Sequence, residues 1–115
     1  MILYGIKNCN TVKSATAWLK ANQIPFEFHD YKSKGVTDLH LRRWSEQVGW
    51  ENLVNKRGTT WRQLDEALQR EVADETSAIA LMKDKTSVIK RPLIEKDGRV
   101  VALGFDEATY RKIFL

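Results

Sequence analysis

The 115-residue chain contains only one cysteine, two prolines and two histidines. Because Cys9 has no second cysteine to pair with, no disulfide can close within the chain, a pattern typical of the reducing cytoplasm. The first ten residues have neither the basic region nor the apolar stretch of an export signal. No apolar run approaches the roughly 20 residues needed to cross a bilayer. We therefore expect a soluble cytoplasmic protein with no membrane span.

Charge of one sign is not concentrated anywhere in the chain. Nineteen Lys and Arg oppose fifteen Asp and Glu, for a net charge of +4, and they form no polybasic run. This distribution favours small anionic ligands, and we expect no direct contact with nucleic acid. His29 and His40 fall on separate predicted elements with no further ligand at metal-binding spacing, so no metal site is predicted.

The first third of the chain has the pattern of a β-α-β unit. Residues 2–5 form a short apolar run typical of a buried strand, and a polar loop containing Cys9 follows. Apolar residues of 11–22 fall on one helical face, and Pro25 prevents the helix from continuing. Residues 26–31 then alternate apolar and polar side chains, which predicts a second strand parallel to the first.

The rest of the chain is predicted to be a helical segment followed by a hairpin and a helix. Residues 37–85 contain three helical patterns, and the second is predicted to open with a capping box at Thr60 and Gln63. This segment is interpreted as an all-helical insert. Two apolar runs flank Asp97-Gly98, which favours a type I′ turn and a β-hairpin. Gly104-Phe105-Asp106 supplies a turn and an N-cap for the last helix. With 43% hydrophobic residues and no linker, residues 1–115 are predicted to form a single domain.

Cys9 is the residue most suited to chemistry. It precedes the first helix, whose unpaired N–H groups and dipole, with Lys7 nearby, favour a nucleophilic thiolate. The alternative is a small buried hydrophobe, which is how most free cysteines behave. For Lys7, Lys56 and Arg57 the alternative is a solvated surface charge.

Four short motifs, taken in order, resemble those of a known family. They are Tyr4-Gly5-Ile6-Lys7-Asn8-Cys9, Asn55-Lys56-Arg57-Gly58, Arg91-Pro92-Leu93-Ile94 and Gly104-Phe105. The order and spacing resemble the ArsC/Spx (arsenate reductase-like) family over essentially the whole chain, with the greatest likeness to its small YffB-type branch. The resemblance implies a thioredoxin-like α/β fold (β-α-β, helical insert, β-β-α) with a four-stranded mixed sheet. It also implies a cis proline at Pro92 that faces a reactive Cys9.

Position by position, the resemblance assigns catalytic roles to Cys9 and Arg91. For the arsenate reductases of the family, the resemblance implies an oxyanion site made of three arginines. The arginine in their insert corresponds to a position near Asn55 in this chain. Their last arginine corresponds to residues 103–105, which include no basic residue. Their histidine before the cysteine corresponds to Gly5. We therefore expect arsenate to be a poor substrate. For the Spx branch, the resemblance implies a redox switch of the Cys-x-x-Cys type. The second cysteine of that motif corresponds to Val12 in this chain, so any oxidised intermediate of Cys9 needs an external thiol.

These observations favour an oxidoreductase: a glutathione- or glutaredoxin-dependent thiol reductase in which Cys9 forms a mixed disulfide. No bound cofactor is expected; glutathione would be a co-substrate, glutaredoxin a partner, and the protein a monomer. The residues expected to bind substrate or glutathione are Lys7, Asn8, Lys56, Arg57, Pro92, Gly104, Phe105 and Asp106. The alternative is a non-enzymatic, Spx-like protein that docks on a larger partner such as RNA polymerase.

Overall fold

The computed structural model describes all 115 residues and contains four strands and eight α-helices. The strands are β1 (Ile2–Gly5), β2 (Glu27–Asp30), β3 (Leu93–Lys96) and β4 (Arg99–Leu103). The helices are α1 (Asn10–Ala21), α2 (Tyr31–Lys34), α3 (Asp38–Val48), α4 (Trp50–Leu53), α5 (Thr59–Arg62), α6 (Glu66–Glu71), α7 (Glu75–Asp84) and α8 (Glu107–Phe114), with a 3-10 turn at Thr86–Val88. No helix is long and apolar enough to cross a membrane.

The chain divides into two compact units. The first contains Met1–Lys34 and Arg91–Leu115, and the second contains Gly35–Lys90. The all-helical segment predicted at about 37–85 lies inside the second unit. The expectation that residues 1–115 form a single domain is not tested by this division and stays a prediction.

The first unit is built on a mixed sheet of four strands in the order β2-β1-β3-β4. β1 runs parallel to β2, with Leu3 opposite Phe28, and antiparallel to β3, with Leu3 opposite Ile94. Because β1 is a central strand, it is buried on both faces and its sequence is a continuous apolar run. The predicted β-α-β unit and the mixed sheet are confirmed.

The β3–β4 hairpin turns at the predicted dipeptide. Asp97 and Gly98 both have positive φ, 52° and 78°, which a type I′ turn requires at its two central positions. The strands then pair from Lys96 opposite Arg99 to Leu93 opposite Leu103, with one irregularity between Ile94 and Glu95. The hairpin prediction is confirmed.

The core of the first unit lies between α1, α8 and the sheet. α1 contributes its buried face, and α8 contributes Tyr110, which is 1% exposed. The buried members of this cluster are Leu3, Val12, Ala15, Trp18, Leu19, Ile94, Ala102 and Tyr110. Trp18 meets the Tyr110 ring edge-on at 5.7 Å between centroids, an arrangement that aromatic pairs favour.

The second unit differs from the sequence-based prediction in where its capping box lies. The pattern expected to start one helix at Thr60 instead gives two short helices, α5 after Gly58 and α6 capped by the Asp65 side chain. The real capping box is at Asp74 and Ser77, which bond reciprocally at the start of α7. A capping box depends on side-chain geometry as well as on residue type, and Asp74 accepts the Ser77 N–H at 2.9 Å.

Candidate active site

Cys9 ends the loop after β1 and is the N-cap residue of α1. Its backbone is extended, with φ −129° and ψ 120°, and its carbonyl oxygen accepts the Lys13 N–H at 2.9 Å. The side chain is half-buried and packs against the core cluster of the first unit. As a free thiol at a helix N-terminus, it sits where the exposed N–H groups of the first turn favour an anion.

Gly5 allows the first turn of α1 to pack closely against the end of β1. A β-carbon placed at position 5 would lie 2.9 Å from Val12 Cγ2, closer than side-chain carbons approach one another. Val12 is itself 3% exposed and belongs to the core. The absence of a side chain at Gly5 therefore sets the depth at which the Cys9 turn lies on the sheet.

The strand directions bring Arg91 to the Cys9 loop. Tyr4 pairs with Leu93 in the antiparallel β1–β3 ladder, so the residues that precede β3 lie at the edge where β1 ends. Arg91 is two residues before that pair and joins Pro92 through a cis peptide bond. Its guanidinium lies close enough to the Cys9 sulfur to lower the pKa of the thiol. The structure thus brings together the two residues to which the family resemblance assigned catalytic roles.

The surroundings of Cys9 lower the pKa of its thiol below the ordinary value of 9.0. Partial burial raises the pKa, and it is outweighed by the Val12 N–H, the charge and hydrogen bond of Arg91, and the Thr11 N–H. The sulfur makes no cap hydrogen bond of full geometry; we therefore attribute the effect of the two amides to oriented dipoles close to the anion. A larger share of the thiol is thus ionised near neutral pH than in a free cysteine.

Tyr31 is a neighbour of this site that sequence reasoning missed. It directly follows β2, and the carboxyl ends of the parallel strands β1 and β2 meet at one edge of the sheet. Tyr31 is 1% exposed and stacks on Tyr4 with ring centroids 6.2 Å apart. Burial raises the pKa of its hydroxyl, and the Arg91 charge opposes that rise. The signal available in the sequence was its position after β2, equivalent to the position of the cysteine loop after β1.

The turn before α8 is tied to Pro92. Gly104, at φ 84°, donates its N–H to the Pro92 carbonyl at 2.7 Å, and its own carbonyl accepts the Tyr110 hydroxyl at 2.6 Å. Phe105 packs edge-on against Tyr110, 4.8 Å between centroids. The structure therefore brings Gly104 to Pro92, whereas Phe105 belongs to the packing around the core.

Asp106 caps α8 with its own carboxylate. The oxygen Oδ2 accepts the Thr109 N–H at 2.9 Å and the Thr109 hydroxyl at 2.6 Å, and these bonds lower the pKa of the carboxyl group. Asp106 is among the residues that the sequence analysis expects to bind substrate or glutathione. In the structure its carboxylate is bonded to Thr109 of its own helix, and its binding role stays a prediction.

Lys7 and Asn8 are exposed in the loop before Cys9, whereas Lys56 and Arg57 belong to the second unit. Lys56 Nζ lies 5.4 Å from the Trp61 ring centroid and 6.0 Å from that of Trp50, a cation–π arrangement that holds the ammonium. The loop is shaped by Asn55, whose side chain accepts the Arg57 N–H at 3.3 Å.

Neither histidine belongs to a cluster of metal-ligating side chains. His29 lies beside the Tyr4 ring at 4.7 Å between centroids, and His40 stacks on Trp44 at 5.4 Å. No group of three or more His, Cys, Asp or Glu side chains in the chain could hold a metal ion.

Comparison with known proteins shows that the chain belongs to the ArsC family, whose family model matches residues 4–113. An uncharacterized protein of Haemophilus influenzae is 43% identical over 97% of this chain and 96% of its own length. The global transcriptional regulator Spx 1 of Lactococcus lactis is 24% identical over 95% of this chain and 84% of its own.

Solved structures place the fold in the same family. A structure of the YFFB protein is 44% identical, covers 99% of this chain and 98% of its own, and has a TM-score of 0.92. An arsenate reductase (ArsC) related protein from Brucella melitensis is 43% identical over 98% and 92% of the two chains, with a TM-score of 0.79. The fold is thioredoxin-like, and the relatives of the chain include both arsenate reductase-related proteins and Spx regulators.

Proposed function

We propose that the protein is a thiol-disulfide reductase in which the Cys9 thiolate is the nucleophile and glutathione or a glutaredoxin is the resolving thiol. The observation that carries this proposal is the position of Cys9 at the N-terminus of α1, at the sheet edge where Arg91 precedes β3, an arrangement that lowers the pKa of the thiol. Membership of the ArsC family supports a redox role for a cysteine in this loop.

The reaction follows from the single cysteine. The Cys9 thiolate attacks one sulfur of a substrate disulfide, the S–S bond breaks, and the departing substrate sulfur keeps the electron pair and then takes a proton from water. An external thiolate attacks the Cys9 sulfur of the mixed disulfide and displaces the second substrate thiolate, and a second external thiolate attacks the external sulfur now bound to Cys9 and releases Cys9 as a thiolate. One disulfide is reduced to two thiols, while two external thiols are oxidised to a disulfide. Arg91 stabilises Cys9 as an anion before the first step and after the last.

Glutathione suits the charges of the site because it is an anion with two carboxylates. Lys7, in the Cys9 loop, and Arg91, beside the sulfur, would pair with them. Lys56 and Arg57 belong to the second unit, and their binding of glutathione stays a prediction. Backbone groups around Pro92 and Gly104 would hydrogen-bond the cysteinyl part as an added strand does.

The decisive experiment is intact-mass measurement after exposure to excess oxidised glutathione at neutral pH. We expect one glutathionyl adduct per chain, removed by reduced glutathione, and no adduct on Cys9→Ser. Arg91→Ala should form the adduct more slowly, because less of its thiol is ionised. An unmodified wild-type chain would exclude the proposal.

A second candidate is a non-enzymatic docking role, favoured by the similarity to proteins named as global transcriptional regulators Spx. The two candidates differ in turnover. A reductase consumes NADPH in the presence of glutathione, glutathione reductase and a disulfide substrate, whereas a docking protein does not. The same assay with arsenate should show little turnover, since the chain has Asn55 and residues 103–105 where the family arginines stand.

A further inference from the structure

A groove with an apolar floor and a rim of lysines runs along α1, starting at the Cys9 loop. It has a volume of about 270 Å³ and lies between one face of α1 and the extended segment that contains β2. Its floor is formed by Val12, Phe26 and Phe28, and its rim by Lys7, Lys13 and Lys20. We call it the lysine groove.

The lysine groove begins in the loop that contains the candidate active site. Lys7 is in the same loop as Cys9, and Val12 contributes to the floor of the groove and provides one of the amides that lower the Cys9 pKa. Lys13 and Lys20 are seven residues apart on α1, so they project from one face about 10 Å from each other. An extended segment of three or four residues has this length.

The lysine groove has a charge that nothing in the chain neutralises. All three lysines are exposed, no carboxylate lines the groove, and none of the three takes part in an ion pair. A larger groove in the second unit is different, because acidic and basic side chains both line it and Lys83 pairs with Asp38 at 3.3 Å. The lysine groove combines unpaired cations with an apolar floor, and one of its lysines is in the loop that contains Cys9.

Resting on the function proposed above, we infer that the lysine groove binds an acidic segment of a protein substrate, next to the cysteine whose disulfide Cys9 attacks. Carboxylates of the segment pair with the rim lysines, and an aromatic or aliphatic side chain between them covers Phe26 and Phe28. Because the groove starts at the Cys9 loop, a segment lying in it brings its own sulfur to Cys9.

The test uses symmetric five-residue peptides, which can lie in either direction along the groove. The acidic probe is acetyl-Glu-Phe-Cys-Phe-Glu-amide, the basic probe replaces Glu by Lys, and the third probe replaces Phe by Ala. Each carries thionitrobenzoate in a disulfide with its cysteine. The Cys9 thiolate attacks the peptide sulfur, the S–S bond breaks, and the coloured thionitrobenzoate anion leaves with the electron pair, so its release measures the rate.

We expect the acidic probe to react about tenfold faster than the basic probe at 0.15 M salt, since replacing both glutamates by lysine turns two exposed attractions into repulsions, together worth roughly one factor of ten. The ratio should fall at 1 M salt, where screening extends to about 3 Å. The probe with Ala should react several-fold more slowly than the acidic probe with Phe. Equal rates for the acidic and basic probes, or for the Phe and Ala probes, would overturn the inference.

Lys20→Glu gives a matched test within the protein. Lys20 is eleven residues from Cys9 along α1, about 16 Å, which is farther than charges act through 0.15 M salt. We expect the acidic probe to react at least fivefold more slowly, while alkylation of Cys9 by neutral iodoacetamide is unchanged. Lys96→Glu, the same charge change on the exposed β3–β4 turn, should leave both rates at the wild-type value.

These outcomes separate the inference from the function on which it rests. If Lys96→Glu slows the acidic probe as much as Lys20→Glu does, net charge explains the preference and the groove is not the binding site. If Cys9 forms mixed disulfides with all probes at equal rates, the reductase proposal stands and the groove inference is wrong. If Cys9 reacts with neither the probes nor oxidised glutathione, both are wrong.

Discussion

The contact between Gly5 and the first turn of α1 makes the placement of Cys9 testable by one added methyl group. In Gly5→Ala the new β-carbon would lie 2.9 Å from Val12 Cγ2 and 3.4 Å from Val12 Cγ1. Val12 is 3% exposed, and a valine in a helix has essentially one χ1 rotamer, so its methyl groups cannot move aside alone. The turn that begins at Cys9 must shift away from β1.

The expected cost combines two opposing terms. Overpacking a core position costs about 1–3 kcal/mol, and replacing glycine by alanine returns about 0.4–1 kcal/mol by restricting the unfolded chain. The net loss in the free energy of unfolding is about 0.5–2 kcal/mol. For 115 residues the entropy of unfolding is about 0.24 kcal/mol/K, so Tm should fall by roughly 2–8 °C.

A double-mutant cycle isolates the contact itself. Thermal and denaturant unfolding would be measured for wild type, Gly5→Ala, Val12→Ala and the double variant. Val12→Ala removes both methyl groups that the new β-carbon meets, so in that background Gly5→Ala should be neutral or stabilising by about 0.4–1 kcal/mol. The coupling energy should be about 1–3 kcal/mol.

The same variants report on the active site. Gly5→Ala should slow alkylation of Cys9 by iodoacetamide, because the displaced turn carries the amides of Thr11 and Val12 that lower the Cys9 pKa. The double variant should recover the rate. A coupling energy under about 0.5 kcal/mol, or unchanged Cys9 reactivity in a destabilised Gly5→Ala, would refute the conclusion that Gly5 sets the position of the cysteine turn.

Three further predictions concern Arg91, Tyr110 and Cys9. Arg91→Ala should raise the Cys9 pKa, measured from thiolate absorbance against pH, and Arg91→Lys should restore part of the shift; an unchanged pKa would remove Arg91 from the site. Tyr110→Phe should lower the free energy of unfolding by about 1–3 kcal/mol, since it leaves the buried Gly104 carbonyl without its hydroxyl donor; a stability equal to wild type would show that this bond contributes nothing. Because the folded-state pKa of Cys9 is below 9.0, its contribution to stability is fully present above about pH 9 and is lost as the pH falls through the folded-state pKa; Cys9→Ser should lack this dependence in denaturant unfolding measured against pH.

Much of the fold was predictable because its signals are local. The buried β1, the amphipathic α1, the Asp97-Gly98 turn and the cap at Asp106 each depend on a few neighbouring residues, and the structure has all four. The start of α6 was not predictable in the same way. Thr60 and Gln63 match a capping pattern, but the chain ends α5 there and uses Asp65 as the next cap.

The features of the candidate site also fall into two groups, those that a local sequence pattern predicts and those that depend on the tertiary structure. The sequence by itself determined that Cys9 lies at the start of a helix and has no partner cysteine, because both facts follow from local pattern and counting. Only the tertiary structure decided that Tyr31 lies near Arg91, that Gly104 bonds to Pro92, and that lysines of α1 face Phe26 and Phe28 across a groove. Those contacts join residues far apart in the chain, and they depend on strand order and register, which one sequence does not encode in any local pattern.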